Sequence, residues 1–296
     1  SRKHLKTTKM NFFKKILGLN SSDRMKNEDI TSEEFFETVY VKNLIEKYKR
    51  KTILLKPHKS ENELKWTESK FGGYPNLESF TEYPKCDSCN SSLNFVFQIY
   101  KKDFLEFYFP KDATIFQLFR CPNNDCKDSY NEFYDHKMFH YFSKVKCEIN
   151  NEFIKEKNKL ASFEPEVPNC YLKPTEKFDF PNYDDFNDED FVEMEKKFGE
   201  EFYEEFIDKY NALPNTKLWG YPSFTQSPFY PECNCGKTKD FLFQLSSEDT
   251  EDGIESPLYP NNWSSHGIMI GDVGNIYYFV CKDCGEKSIE SYWDCF

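Results

Sequence analysis

The sequence predicts an α+β fold in which one β-rich unit occurs twice, in antiparallel or mixed sheets flanked by amphipathic helices. Three observations carry this expectation. Four cysteine pairs fall into two matched sets, Cys86/Cys89 with Cys121/Cys126 and Cys233/Cys235 with Cys281/Cys284. Each set lies inside the same longer phrase, FGGYPNLESFTEYPKCDSCNSSLNFVFQIY at 71–100 and WGYPSFTQSPFYPECNCGKTKDFLFQL at 219–245. Outside the phrases, apolar residues recur every three or four positions in 32–51 and 188–211, the spacing of one helix face.

The phrases keep register. Pro75 and Pro222, Pro84 and Pro231, and Cys86 and Cys233 share an offset of 147, and Phe97-Gln98 meets Phe243-Gln244 at 146. Farther on, Phe119-Arg120-Cys121 meets Phe279-Val280-Cys281 after a longer insertion in the second copy. This self-similarity reads as an internal duplication.

The elements follow in chain order. Residues 1–60 carry 15 Lys/Arg against 7 Asp/Glu. They read as a basic N-terminal segment, with a short amphipathic stretch at 11–19, followed by an amphipathic helix over 32–51. Thr31 with Glu34 is a capping-box pair at its start. Residues 61–160 form the first repeat unit. NSSLNFVFQIY and ATIFQLF are aromatic, β-favouring runs between turn residues and read as strands, whereas 131–160 reads as helical. Residues 161–212 are an acidic connector and helix, with Asn187 as N-cap and Pro214 as stop. Residues 213–296 are the second unit, with strands at 240–245 and 275–281 and a long polar loop at 246–266 between them. Gly271-Asp272-Val273-Gly274 precedes a strand and reads as a tight turn.

Hydrophobic residues make up only 38% of the 296 positions, but aromatics make up 18%, and their large area can build a core from fewer side chains. The net charge of −12 argues against binding a phosphate backbone, so no nucleic-acid partner is expected. No apolar run has the length of a membrane span, so no membrane partner is expected either. The expected compartment is the cytoplasm, where paired cysteines mark metal more often than disulfides.

Thiolates at such spacing approach one tetrahedral ion from a single turn, and two turns joined by strands close the site. Cys86, Cys89, Cys121 and Cys126 are therefore expected to hold one Zn2+, and Cys233, Cys235, Cys281 and Cys284 a second. Buried free thiols are the alternative. With four protein ligands no position stays open for water, so both sites are expected to be structural. Cys147, Cys170 and Cys295 read as ordinary thiols, and His136 and His140 as core or surface histidines. No nucleophile motif and no phosphate-cradling glycine loop is present, so no catalytic residue is assigned and no enzyme is expected.

Residues 217–227, KLWGYPSFTQS, resemble the GGYP…TQ phrase of the bacterial YwqG-like proteins, a family of unknown function. Phe241–Leu245 and Gly271–Gly274 resemble that family's later strand and turn. The first unit, with Gly72-Gly73-Tyr74-Pro75, Cys86, Cys89 and Phe119-Arg120-Cys121-Pro122, is also similar to the programmed cell death 2 family of ribosomal-protein chaperones. The resemblance implies a β-rich domain that binds a peptide or a client protein. The expected function is a non-enzymatic, zinc-stabilised binding module, a client-specific chaperone or adaptor whose client has basic character. The second expectation is an immunity protein that neutralises a bacterial toxin, and the third an enzyme with a cryptic pocket. Trp219, Tyr221, Phe224, Gln244, Trp263 and Asp272 are the candidate partner-binding residues. An aromatic core would explain the aromatics as well, and Gln98 and Gln244 either brace the Tyr-Pro turns or offer their amides to a bound peptide.

Overall fold

A computed structural model describes residues 30–128, 138–146, 166–249 and 264–296. The described residues of Ser1–Tyr48 with Phe186–Tyr210 form one unit, and those of Lys49–Asp185 with Asn211–Phe296 form the other. The stretch at 11–19, Cys147, His136 and Trp263 lie outside the described residues.

The first unit is helical. Thr31 caps α1 (Ser32–Glu37) through the expected reciprocal box with Glu34. The run expected to be one helix breaks at Thr38, whose ψ of 145° is extended, and α2 (Val39–Tyr48) follows. The second stretch is likewise two helices, α3 (Asp188–Phe198) and α4 (Glu200–Lys209), because Gly199 at φ 103° leaves the helical region between them. Asn187 caps α3 by accepting the Glu189 N–H. The apolar stripes meet, with the Phe35 ring 5.1 Å from Phe198 and 4.8 Å from Phe202. No helix among the described residues is long and apolar enough to cross a membrane.

Among the described residues the second unit is one antiparallel sheet of ten strands: β1 (Arg50–Lys59), β2 (Lys70–Phe71), β3 (Asn94–Tyr100), β4 (Ile115–Arg120), β5 (Met138–Ser143), β6 (Cys170–Asp179), β7 (Lys217–Leu218), β8 (Asp240–Ser246), β9 (Asn275–Val280) and β10 (Glu290–Asp294). Their order is β10-β9-β8-β7-β1-β6-β2-β3-β4-β5. β3 and β8 both have seven residues, and each carries a register shift against its partner, between Phe95 and Phe97 in one and Phe241 and Phe243 in the other.

The sheet curls strongly. β3 and β8 are five strand spacings apart in this order, which in a flat sheet would separate them by ~24 Å. Yet the rings of Phe97 and Phe243 stack with centroids 5.3 Å apart, and those of Phe116 and Tyr278 lie 6.3 Å apart. The concave face therefore closes on itself as a half-barrel, filled by Phe71, Phe97, Ile99, Phe116, Leu118, Leu218, Phe243, Leu245, Ile276 and Tyr278. Phe104 and Phe107 from the β3–β4 connection, with Ile268 and Ile270 from the β8–β9 connection, plug the interior.

Two readings of the sequence are corrected here. Residues 138–143, expected to be helical, are β5. Met138 joins the concave core while Phe139 packs on the convex side, so both faces of the strand are apolar and period-two alternation is hidden. Residues 170–179, expected to lie in a connector, are a central strand paired with β1 along its whole length. Pro174 is tolerated because Leu55, its partner across β1, donates its N–H to the Thr216 carbonyl on the far side. The proline nitrogen thus faces away from β1, toward β2, which reaches only Cys170 and Tyr171.

Buried polar groups fix the connections. Lys70 and Lys217, the first residues of β2 and β7, are fully buried. Lys217 Nζ donates to Asp179 Oδ2 at 2.8 Å and to the Leu213 carbonyl at 2.6 Å. Asp179 also accepts the N–H groups of Phe180, Leu213 and Tyr221. Lys70 Nζ reaches the Leu64 carbonyl, and burial pulls its amine down to about 8.

The GGYP turn needs its glycines. Gly72 and Gly73 have φ of 57° and 65°, and a Cβ on Gly72 would overlap the carbonyl oxygens of Val167 and Pro168. Gly72→Ala is expected to destabilise the protein by about 2 kcal/mol or more, read as a lower urea midpoint at unchanged slope. An unchanged midpoint would contradict this reading of the turn.

Candidate metal centre

The phrases that carry the cysteines fold into tight turns at the strand ends. In the first turn the Cys86 N–H donates to the Ser91 carbonyl, and Asn90 at φ 60° donates back to the Cys86 carbonyl. In the turn before β8 the Cys233 N–H donates to the Lys237 carbonyl and Gly236, at φ 81°, to the Cys233 carbonyl. A residue able to adopt positive φ turns the chain so that both sulfurs of a pair face one point. The partner cysteines follow the next strand: Cys121 directly follows β4 and Cys281 directly follows β9. The Gly285 N–H donates to the Cys281 carbonyl, which closes the last turn.

Strand pairing of β3 with β4 and of β8 with β9 brings the two turns of each set together. The structure forms two four-cysteine groups, Cys86/Cys89/Cys121/Cys126 and Cys233/Cys235/Cys281/Cys284, with the ligand atoms of each group within 4.8 Å of one another. Sγ–Sγ distances are 3.7 Å for Cys86–Cys126, 3.6 Å for Cys89–Cys121 and 3.7 Å for Cys235–Cys281. A tetrahedral ion with metal–sulfur bonds of about 2.3 Å places its sulfurs about 3.8 Å apart. The eight sulfurs thus form two groups that could each hold a metal ion, and a four-thiol donor set suits a soft or borderline ion rather than a hard cation.

The local electrostatics fit such a site. Ser91, through its hydroxyl and then its backbone, brings the Cys89 thiol down to about 6. Burial pushes Cys121 well up, and hydrogen bonds shared with Cys233, Cys235 and Cys281 hold Cys284 up at about 12. Four sulfurs this close retain protons unless a cation offsets their mutual repulsion, so loading a metal releases protons and weakens as the pH falls. Cys170 is of another kind: it lies in the concave core, is in neither four-cysteine group, and burial raises it to about 12.

The candidate partner-binding residues are mostly internal. Gln244 is fully buried; its Oε1 accepts the Ser223 N–H at 2.8 Å and its Nε2 donates to the carbonyls of Pro214 and Asn215. Gln98 on β3 does the same, accepting the Asn76 N–H at 3.0 Å and donating to the carbonyls of Trp66 and Glu68. Both glutamines brace the Tyr-Pro turns. Phe224 is buried against Tyr277 at 4.7 Å, and Tyr221 is buried with the Arg50 guanidinium 4.1 Å from its ring centroid. Trp219 is half-buried against the concave core at φ 56°, and Asp272 is exposed in its turn. The Thr225-Gln226 pair has a structural partner that sequence reasoning missed. Asp294 Oδ2 accepts both N–H groups while its Oδ1 accepts the Tyr277 hydroxyl, and burial pushes its carboxyl upward. Nothing near Asp294 in the sequence signals this, because its partners lie on another strand and a distant loop.

Residues 69–287 match the family model described as a domain of unknown function, DUF1963. The chain belongs to the DUF1963 family. The DUF1963 region begins at β2 and includes all eight clustered cysteines and both Tyr-Pro turns, while β1 and β10 lie outside it. None of the curated proteins compared with the chain matches it.

Proposed function

We propose that this DUF1963 protein is a non-enzymatic binding module whose sheet is stapled at two places by structural zinc, and that it serves as a client-specific chaperone or adaptor. The observation that carries this reading is the seam of the half-barrel. β6 lies at the centre of the sheet, yet only its two end residues are buried. Tyr171 on its convex face is 46% exposed and Phe178 on its concave face 54%. β3, β4 and β9, by contrast, are buried almost throughout. Tyr171, stacked on His58, and Phe178, under the Lys49 ammonium, thus offer aromatic contact area on opposite faces of the strand, so that a partner gripping the seam reaches both faces. Among the described residues the sheet ends in two strands, β5 and β10, that pair on one side only, where an extended client segment adds by backbone hydrogen bonds. The net charge of −12 favours a client of basic character.

The same reading makes the two halves copies of one unit. The strand order about the β1–β6 pair, the matched register shifts of β3 and β8, and the equivalent glutamine braces support it. It extends to kinship with the YwqG-like and programmed cell death 2 proteins, which rests on the GGYP and cysteine phrases.

Affinity purification of the tagged full chain followed by mass spectrometry tests the proposal. One dominant protein partner, lost from a Tyr171→Ala/Phe178→Ala double variant that keeps its fold, is the expected result. A ribosomal protein would identify a chaperone and a secreted toxin an immunity protein. No stable partner, or a partner unaffected by the double variant, would overturn the seam as the binding surface.

A further inference from the structure

The two four-cysteine centres differ in exposure, and the difference is chemical. In the first, Cys86, Cys121 and Cys126 are buried and Cys89 is half-buried. Its sulfurs belong to an apolar cluster with Leu93, Phe95, Phe119 and Phe139. In the second, Cys235 and Cys284 are exposed while Cys233 and Cys281 are buried. The aromatic cluster nearest in sequence, Phe224, Tyr277 and Phe279 with Tyr230, Phe241 and Tyr292, contains none of its cysteines. An ion pair between Lys237 and Asp283 links its two turns at the surface. One exposed thiolate sits on each turn, Cys235 on the first and Cys284 on the second.

We propose that the Cys233/Cys235/Cys281/Cys284 centre is a redox-sensitive modification site, at which a two-electron oxidant of the peroxide class joins Cys284 to Cys235 and expels the metal while the Cys86 centre is spared. The inference rests on the zinc reading above. Oxidation of thiolates follows exposure, and a metal-bound thiolate that solvent can reach is an available nucleophile. The Cys284 thiolate attacks one oxygen of hydrogen peroxide, the O–O bond breaks, and sulfenic acid and hydroxide form. The Cys235 thiolate then attacks the Cys284 sulfur, the S–O bond breaks, and a disulfide and a second hydroxide form. Two electrons pass from sulfur to oxygen, and Zn2+ leaves because two of its four ligands are gone. The sulfurs start within 4.8 Å of one another, so a bond of about 2 Å needs only a local shift of the two turns. Because the disulfide ties one turn to the other, it replaces the staple, and a dithiol with added zinc reverses the change.

The test uses the full chain as purified, with its zinc counted first; no zinc at that stage overturns the zinc reading rather than this inference. Hydrogen peroxide is then added and released zinc is followed with a colorimetric chelator, while quenched samples are mapped for disulfide-linked peptides. One equivalent should leave about 10-fold or more faster than the other, in step with a Cys235–Cys284 link, and return after dithiothreitol and zinc. Release of both ions at one rate, oxidation of the Cys86 set first, or zinc loss without that disulfide would each overturn it. A Cys235→Ser variant, which lacks a ligand of the second ion, should hold one ion fewer and release only the slow equivalent, and a fast equivalent released from it would also count against the assignment.

Discussion

Replacing Cys121 by serine is expected to unfold the sheet unit, whereas Cys284→Ser should leave a folded protein with one metal fewer. Cys121 is buried among Phe95, Phe119 and Phe139, so a lost ion leaves polar sulfurs in an apolar cluster with neither metal nor water to satisfy them. Structural zinc at four thiolates contributes on the order of 10 kcal/mol of folding free energy at neutral pH, about the whole stability of an ordinary domain. At the second centre the exposed sulfurs of Cys235 and Cys284 are rehydrated when the ion leaves, and the cost is smaller. Circular dichroism and urea titration of both variants, with bound metal counted, would show this. Equal losses in the two variants would mean that burial does not set the importance of each centre.

The second large effect lies far from any cysteine. Asp179→Ala is expected to cost about 3–5 kcal/mol, because it strands the fully buried Lys217 ammonium without a counter-charge. It also orphans the N–H groups of Leu213 and Tyr221 that the carboxylate accepts, and these hold the second Tyr-Pro turn. Burial already pulls the Lys217 amine downward while Asp179 opposes that pull. Pairing the change with Lys217→Met removes the stranded charge and should recover more than half of the loss. A single-variant cost below about 1 kcal/mol, read from urea midpoints of the metal-loaded proteins, would contradict the role given to the pair.

The two centres and the strands beside them were legible in the sequence because their signals are local. A cysteine pair, a positive-φ residue and an aromatic run sit within a few residues of one another, and the duplicated phrase shows the pattern twice. β5 and β6 were not legible for physical reasons. β5 is apolar on both faces, so its alternation vanishes. β6 is exposed on both faces, so its acids and Pro174 look like a linker, and only its pairing with β1 reveals it. The breaks at Thr38 and Gly199 interrupt apolar stripes that keep helical spacing across them. The buried lysines were out of reach for another reason. Lys217 lies in a two-residue strand, and its partner Asp179 closes a segment 38 residues earlier. The glutamine braces resolve an ambiguity that spacing could not: both amides are used within the chain, at Asn76, Trp66 and Glu68 in one half and at Ser223, Pro214 and Asn215 in the other.

The most direct measurement is the metal content of the full chain purified without added metal, by elemental analysis against protein concentration. Two four-sulfur sites with tetrahedral spacing predict about two zinc ions per chain. A chain that folds, shows its sheet by circular dichroism and contains no metal would contradict the account.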